Sequence, residues 1–284
     1  MAESKAVLIT GCSSGIGHAT AARLAENGWT VYATARNADK LTELAGKGCR
    51  TLSLDVEDED SMKAAVAEVE QAEGAVGVLI NNAGYSQSGA VESVPMDKVR
   101  KQFDTNVFGL VRMTQLVLPG MRRQGWGRIV NLSSMGGKLV FPGGGYYHAT
   151  KYAVEAISDA LRYEVKGFGV GVVLIEPGLI VTNFGGTAAG SIGNGSEEGQ
   201  ADAYEKFNKA VGDATAGIYE GPAAKLGGPP EAVAKVIDKA ISSKRPRPRY
   251  TVTPSAKLLM TQRRLMTDRM WDRMMRTQFP RPGA

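Results

Sequence analysis

The stretch that decides the fold is Ala6-Val7-Leu8-Ile9-Thr10-Gly11-Cys12-Ser13-Ser14-Gly15-Ile16-Gly17. Its first five residues form a short apolar run, which is typical of a strand buried on both faces. A glycine-rich turn follows, and a helical pattern of apolar residues begins directly after it. The free N–H groups and the dipole of a helix start attract anions, and glycines let the backbone come close to a ligand. The stretch therefore predicts a strand, a turn and a helix that bind a diphosphate.

Strands and helices alternate along the rest of the chain. Further apolar runs predict strands at 30–34, 50–54, 76–80, 128–132, 170–175 and 247–252. This alternation with short loops predicts an α/β fold: one doubly wound parallel sheet of about seven strands, with helices on both faces. Ligands of such sheets bind beyond the carboxyl ends of the strands. One cleft is expected there, because a polar or glycine residue follows each of five strands: Gly11, Arg36, Asp55, Asn81 and Ser134.

A second motif follows the predicted strand at 128–132. Ser134 is followed by a glycine-rich turn and then by a helix that carries Tyr147 and Lys151. Residues four apart lie on the same helix face, so the phenol and the ammonium are neighbours. The cation favours phenolate and lowers the pKa of Tyr147 from its usual value of about 10. The pair predicts a proton donor, and the alternative interpretation is an exposed helix face.

The end of the second strand bears on the cofactor. Enzymes that prefer the unphosphorylated nicotinamide dinucleotide usually place a carboxylate there, whereas an arginine suits a 2′-phosphate. Here Arg36 occupies the end of the strand, and the first carboxylate is Asp39. The sequence therefore favours NADP(H) over NAD(H), with a solvated loop arginine as the alternative.

A long apolar pattern predicts a single helix from Pro95 to Arg123. Asn106 interrupts this pattern, and a buried asparagine usually makes a structural hydrogen bond.

Composition limits the remaining function classes. The 284 residues carry a net charge of +5, part of it in the last forty residues, so a nucleic-acid partner is not expected. Two cysteines, Cys12 and Cys49, are too few for a disulfide framework and lack metal-ligand spacing. No leader pattern and no run of about 18 apolar residues is present. We expect a cytoplasmic protein without a metal or a transmembrane segment.

Six motifs occur in a fixed order: Thr10-Gly11-x-x-x-Gly15-x-Gly17, Asn81-Asn82-Ala83-Gly84, Asn106, Ser134, Tyr147-x-x-x-Lys151 and Pro177-Gly178-x-x-x-Thr182. Together they make the sequence resemble the short-chain dehydrogenase/reductase family over nearly its whole length. Finer similarity, at residues 10–15, 31–36 and 249–250, is to the 17β-hydroxysteroid dehydrogenase type 1 and retinol dehydrogenase branch.

The resemblance implies hydride transfer between NADP(H) and a carbonyl or alcohol. It implies Tyr147 as general acid or base, Ser134 as hydrogen-bond donor to the substrate oxygen, Lys151 on the nicotinamide ribose, and Asn106 holding a water. Asn82 and Asp55 would lie along the adenosine, Thr182 near the carboxamide, and Ser13 and Arg36 at the 2′-phosphate. The cofactor set it implies is Gly11, Ser13, Ser14, Gly15, Ile16, Gly17, Arg36, Asp55, Val56, Asn82, Ala83, Gly84, Tyr147, Lys151, Pro177, Gly178 and Thr182. A homodimer or homotetramer is implied through the helices of Asn106 and Tyr147.

Two segments concern the substrate. Residues 183–228 of the catalytic domain (1–254) are rich in Gly and Ala and resemble a substrate-covering insertion, or else a surface insertion without a role. Apolar residues at Tyr85 and at 139–142 are expected near the cleft, which favours a hydrophobic ketone or secondary alcohol of steroid, retinoid, lipid or aryl type. Residues 255–284 predict one basic amphipathic helix, packed on the fold or on a second subunit, or bound to a membrane surface.

Two other functions are weighed against this one. A 3-oxoacyl-thioester reductase has similar site chemistry with a carrier-bound substrate. A dinucleotide-sensing regulator would not need the set of Asn106, Ser134, Tyr147 and Lys151, which is complete here.

Overall fold

The apolar runs pair into one parallel sheet in the computed structural model, which describes residues 3–182, 190, 203–217 and 222–283. Its strands are β1 (Val7–Ile9), β2 (Val31–Ala35), β3 (Arg50–Ser53), β4 (Val78–Asn81), β5 (Gly127–Leu132), β6 (Val170–Pro177) and β7 (Arg249–Val252). The order across the sheet is β3-β2-β1-β4-β5-β6-β7. The order reverses between β1 and β4, so a ligand crevice lies beyond the carboxyl ends of these two strands. The predicted fold class is confirmed.

Helices connect the strands and cover both faces. They are α1 (Gly15–Glu26), α2 (Thr42–Gly46), α3 (Glu59–Glu73), α4 (Met96–Phe103), α5 (Gly109–Gln124), α6 (Gly145–Glu164), α7 (Glu205–Gly217), α8 (Pro230–Ser242), α9 (Pro254–Leu265) and α10 (Asp268–Met275). Short 3-10 turns lie at Ala38–Leu41, Met135–Gly137, Lys166–Phe168 and Pro222–Leu226. Of the predicted insertion at 183–228, residues 183–189, 191–202 and 218–221 lie outside the described residues. None of the described helices is both long enough and apolar enough to cross a bilayer.

The side-chain alternation of β1 divides the core in two. Leu8 packs with Val69 of α3 and Val117 of α5 on one face of the sheet. Val7 and Ile9, the neighbours of Leu8 in the sequence, face the other side of the sheet, where they pack with Leu24 of α1 and Ile237 of α8. All of these side chains are completely buried, and each contributes about 1.5–3 kcal/mol relative to an exposed position. The two layers hold the carboxyl ends of the strands in a fixed arrangement.

The predicted single helix over Pro95–Arg123 is correct in extent but not in form. Between α4 and α5 the chain makes a π-helical turn at Asp104–Phe108, which contains the buried Asn106. A π turn holds one more residue than an α turn and usually marks a functional position. The apolar pattern could not reveal it, because a single extra residue shifts the period only slightly.

The prediction of one carboxyl-terminal helix over 255–284 is wrong. The helix breaks after α9 and restarts as α10, because Thr267 is extended and its hydroxyl accepts a hydrogen bond from the N–H of Met270. Serine, threonine and aspartate are the usual residues at such helix starts. The restart turns Trp271 and Met275 inward, where they pack on the buried Leu139. One face of this segment is therefore part of the fold.

Candidate active site

A cavity of about 790 Å³ lies at the carboxyl edge of the sheet. Most of the predicted site residues line it: Gly11, Ser13, Ser14, Gly15, Ile16, Arg36, Asp55, Val56, Asn82, Ala83, Gly84, Ser134, Tyr147, Lys151, Pro177, Gly178 and Thr182. Gly17 and Asn106, which were also predicted, do not line it. Motifs spread over more than half of the chain thus meet in one cavity. No group of three or more potential His, Cys, Asp or Glu metal ligands occurs in the described ranges.

The glycine turn is held from the neighbouring strand. The side-chain amide of Asn82 donates hydrogen bonds to the carbonyls of Thr10 and Gly11, both at 2.9 Å. Gly11 has φ +75°, and a Cβ on it would lie 3.0 Å from the Cα of Ala83. A Cβ on Gly17 would lie only 2.4 Å from the Asn82 amide nitrogen. Gly17 therefore lets the loop pack against the chain after β4, and its predicted contact with the cofactor stays a prediction.

The start of α1 fits a dinucleotide phosphate. Ser14 is the N-cap residue, and its side chain makes no capping bond, so the first N–H groups of the helix stay available to a ligand. Gly15 and Ile16 of that first turn line the cavity. Free N–H groups and the helix dipole together provide the positive potential that a diphosphate needs.

Arg36 directly follows β2, at the position predicted to meet a 2′-phosphate. Its side chain is exposed, lines the cavity and makes no ion pair with any described residue. Asp39, the first carboxylate after it, does not line the cavity. We name the surface formed by Gly11, residues 13–16, Arg36, Asp55 and Asn82 the dinucleotide wall.

Ser134, Tyr147 and Lys151 meet where β5 ends and α6 begins. Ser134 caps the 3-10 turn after β5, and its oxygen accepts a hydrogen bond from the N–H of Gly136 at 3.0 Å. That bond uses an oxygen lone pair, so the hydroxyl proton stays available for a substrate oxygen. The Lys151 nitrogen lies 5.7 Å from the centroid of the Tyr147 ring and donates to the carbonyl of Leu132 at 2.7 Å. Burial lowers the pKa of Lys151 to about 8, which leaves it mostly protonated at neutral pH.

Asn106 acts on this group from behind the cavity. Its amide donates to the carbonyl of Tyr85 at 2.9 Å and to the Thr150 hydroxyl at 3.1 Å, and its oxygen accepts from the N–H of Tyr85. The Thr150 hydroxyl in turn donates to the carbonyl of Tyr147 at 2.7 Å. One amide hydrogen thus holds the loop after β4, and the other holds the start of α6. The predicted water beside Asn106 stays a prediction.

His148 is a site residue that the sequence analysis missed. Its Nε2 accepts a hydrogen bond from the N–H of Phe141 at 3.1 Å, so Nδ1 carries the proton and donates to the carbonyl of Gly136 at 3.0 Å. The ring is buried, lies 5.7 Å from the Tyr147 ring and lines the cavity. Burial also lowers its pKa. His148 therefore ties the loop after Ser134 to the helix of Tyr147, and its position next to Tyr147 in the sequence was the available signal.

Besides the dinucleotide wall and the polar residues Glu57 and Lys101, the cavity has a largely apolar surface that comes from distant segments. We name it the substrate wall, formed by Tyr85, Phe141, Pro142, Leu179, Val211, Ala214, Thr215, Gln278 and Phe279. None of these nine residues is charged. Two of its expected members are absent, because Leu139 is completely buried under α10 and Val140 points to solvent.

Phe279 packs against both α7 and α10 and lines the substrate end of the cavity. It packs against Phe207 and Val211 of α7, and also against Trp271 and Met275 of α10. The described part of the predicted covering insertion therefore contributes to the cavity through α7. The tail after α10 closes the same end, which the sequence analysis did not predict.

Comparison with known proteins agrees with this geometry. A family model described as short chain dehydrogenase matches residues 5–190. A 3-ketodihydrosphingosine reductase from Bacteroides thetaiotaomicron is 42% identical over 205 residues, covering 72% of this chain and 75% of the relative. An NADPH-dependent 3-dehydrocapnine reductase from Ornithobacterium rhinotracheale is 35% identical over 275 residues, covering 94% of each chain.

A solved structure extends the comparison to three dimensions. Serine dehydrogenase complexed with NADP+, in its closed form, superimposes with a TM-score of 0.75 at 26% identity, covering 88% of this chain and 94% of that one. The chain belongs to the short-chain dehydrogenase/reductase family. It is an oxidoreductase that uses a nicotinamide dinucleotide. The finer similarity to the 17β-hydroxysteroid dehydrogenase type 1 and retinol dehydrogenase branch stays a prediction.

Proposed function

We propose that this protein is an NADPH-dependent reductase of a hydrophobic ketone, with Tyr147 as the general acid. The observation that carries the proposal is the meeting of Ser134, Tyr147 and Lys151 in a cavity that has an uncharged substrate wall. When bound, the nicotinamide supplies the hydride, and the protein supplies orientation and the proton. Cells that keep NADP mostly reduced would favour the reducing direction.

Ser134, Tyr147 and Lys151 each have a separate role in the reaction. The Ser134 hydroxyl donates a hydrogen bond to the carbonyl oxygen, where negative charge develops as hydride reaches the carbon. Tyr147 gives its proton to that oxygen, which completes the alcohol. The Lys151 ammonium, 5.7 Å from the Tyr147 ring centroid, favours the phenolate that remains.

The cofactor preference rests on Arg36. Its guanidinium has no carboxylate partner among the described residues, and a 2′-phosphate is the ligand that would complete it. The similarity to a reductase named as NADPH-dependent supports the same preference.

The substrate class rests on the substrate wall and on the names of two relatives, which act on 3-ketodihydrosphingosine and 3-dehydrocapnine. An uncharged, largely apolar wall gains free energy by burying a hydrocarbon chain, about 0.8 kcal/mol for each methylene. We therefore expect a long-chain lipid ketone to be reduced more efficiently than a short or polar one.

A screen of NADPH oxidation tests the proposal. The panel contains 3-ketodihydrosphingosine, aliphatic and steroid ketones, a sugar ketone and a 3-oxoacyl thioester, each with NADPH and with NADH. We expect turnover of lipid ketones with NADPH. Turnover of sugars alone would refute the substrate class, and turnover of the thioester alone would make the protein a thioester reductase.

We also expect a cytoplasmic homodimer or homotetramer. Phe108, Tyr152 and Tyr163 are large exposed side chains on the π turn and on α6, the helices expected to form the subunit contact. Sedimentation velocity of the wild-type protein and of Tyr163→Glu measures this directly, since a charge at a buried contact should shift the assembly to monomer.

A further inference from the structure

The carboxyl-terminal segment carries the whole excess charge of the protein. Residues 255–284 contain seven basic and two acidic side chains, a net charge of +5, which equals the net charge of the entire chain. Residues 1–254 are therefore neutral overall. A charge excess confined to one surface segment attracts an anionic partner to that segment.

Most of the basic side chains of this segment are exposed and make no ion pair with the described residues. Arg264, Arg269, Arg273 and Arg276 are exposed, and none of them makes an ion pair within the part of the chain that the structure describes. Arg263 differs, since it pairs with Asp268 at 2.6 Å and lies over the Trp271 ring. Arg263 thus serves the fold, whereas the other arginines have no structural partner.

Large apolar residues stand among these cations. Leu265 is 78% exposed, Leu258 55% and Met270 51%. On α9 the exposed positions recur every three or four residues, so Leu258 and Leu265 share a face with Lys257 and Arg264. The opposite side of the segment is already used, because Trp271 and Met275 are buried in the fold.

We propose that the outer face of residues 257–276 docks on an anionic lipid bilayer. An interfacial helix needs this combination: apolar side chains that enter the acyl boundary and cations that bind the lipid head groups. A second copy is a poor occupant, because residues 257–276 carry a net charge of +4 and two such faces would repel each other. A nucleic acid would bind the arginines but offers no apolar layer for Leu258 and Leu265.

Docking on a bilayer would bring the substrate end of the cavity close to the membrane. This inference about substrate transfer rests on the proposed function. Gln278 and Phe279 follow α10 directly and belong to the substrate wall. A bilayer bound by α9 and α10 would therefore lie next to the segment that closes the substrate end of the cavity. A lipid ketone could then pass between membrane and cavity with little exposure to water.

Vesicle sedimentation of the full-length protein tests the docking without any substrate or cofactor. The vesicles are pure phosphatidylcholine, or phosphatidylcholine with phosphatidylglycerol, each at low and at high salt. The charge variant is Arg264→Gln, Arg269→Gln and Arg273→Gln together. Its matched control is Lys235→Gln, Lys239→Gln and Lys244→Gln, three exposed and unpaired cations on and beside α8. The apolar variant is Leu258→Gln with Leu265→Gln. Circular dichroism checks that every variant is folded.

We expect the wild type and the control to sediment with anionic vesicles only, and less so at high salt. Each basic residue near an anionic surface contributes about fivefold in binding, so the charge variant should lose about 100-fold. The apolar variant should also bind more weakly. Equal binding by the charge variant and its control, or equal binding to both vesicle types, would overturn the proposal.

Three further outcomes would also overturn it. Unchanged binding of the apolar variant would mean that nothing inserts into the bilayer. Equally tight binding to double-stranded DNA would identify a general polyanion site. A change of oligomeric state in either variant, without a change in vesicle binding, would assign the face to a second copy. None of these measurements depends on catalysis. If the proposed function is wrong, vesicle binding can still be measured, so the two proposals can fail separately.

Discussion

The two walls of the cavity are built in opposite ways. The dinucleotide wall comes from residues that directly follow β1, β2, β3 and β4, and Asn82 holds it with two hydrogen bonds to the glycine turn. The substrate wall combines the loops after β4, β5 and β6 with helix α7 and the chain after α10, and Phe279 packs against both α7 and α10. The first wall is fixed by the sheet, and the second by packing between segments far apart in sequence. We therefore expect changes in the first wall to alter cofactor use and changes in the second to alter substrate choice.

The largest effect is expected where the two walls meet, at Tyr147→Phe. Loss of the phenol proton should lower kcat for ketone reduction by about 100- to 10,000-fold, the usual contribution of a general acid. NADPH binding, followed by its fluorescence, should be preserved, because the ring and Lys151 remain.

Tyr146→Phe is the matched control, since the Tyr146 hydroxyl donates to the carbonyl of Val91 and Tyr146 does not line the cavity. Undiminished kcat in Tyr147→Phe on a genuine substrate would contradict the assignment of the acid.

The second effect probes the dinucleotide wall alone. Arg36→Ala removes a charged partner of the 2′-phosphate, and hydrogen bonds to charged groups contribute about 1.5–3 kcal/mol. The ratio of kcat/KM for NADPH to that for NADH should fall by about 10- to 100-fold, while kcat/KM for NADH stays nearly constant. Lys40→Ala, an exposed cation nearby that does not line the cavity, should leave the ratio unchanged. An equal fall of kcat/KM with both cofactors would show that Arg36 does not bind the 2′-phosphate.

The same contrast explains how far the sequence could be interpreted. Gly11, Arg36 and Asn82 were predictable because they follow strands, and parallel strands end at one edge of a sheet. Tyr147 and Lys151 were predictable because helical spacing places them on one face. These rules depend only on local structure.

Other features depend on contacts between distant segments, and the sequence did not reveal them. Phe279 reaches the cavity only because Thr267 starts a new helix and Trp271 packs inward, with its ring N–H donating to the carbonyl of Val140 at 3.1 Å. The π turn at Asn106 depends on partners at Tyr85 and Thr150, each more than twenty residues away. The close packing of Gly17 against the Asn82 amide also could not be foreseen, because the motif alone does not show what lies behind each glycine.

The third effect concerns the protonation of His148, which ties the loop after Ser134 to the helix that carries Tyr147. Its folded-state pKa is lowered, so the unfolded chain binds a proton first as pH falls. The contribution of neutral His148 is complete above its unfolded pKa of about 6.5 and is lost progressively below that value. The free energy of unfolding should therefore fall from pH 7 to pH 5 more steeply in the wild type than in His148→Gln.

At pH 7 His148→Gln should itself be less stable by about 1–3 kcal/mol, because the buried N–H of Phe141 or the carbonyl of Gly136 loses its partner. His18→Gln is the matched control, since His18 is the other of the two histidines and its half-buried ring lies 3.4 Å from Glu43. Denaturant unfolding at several pH values measures both the loss of stability at pH 7 and its dependence on pH. Equal pH slopes in the wild type and His148→Gln would contradict a neutral, buried imidazole.

The smallest effect is expected in the substrate wall, from Phe279→Ala. Removing the ring lengthens the cavity between α7 and α10 without touching Ser134, Tyr147 or Lys151. Each methylene that gains a buried position contributes about 0.8 kcal/mol, or about fourfold in kcat/KM. In a series of straight-chain ketones the optimum should therefore move to longer chains, with the gain for each added methylene near this value until the new space is filled. Phe168→Ala, which removes an exposed ring outside the cavity, should keep the wild-type optimum. A uniform loss across the series would instead assign Phe279 to stability alone, because only a residue that ends the cavity can change the dependence on chain length.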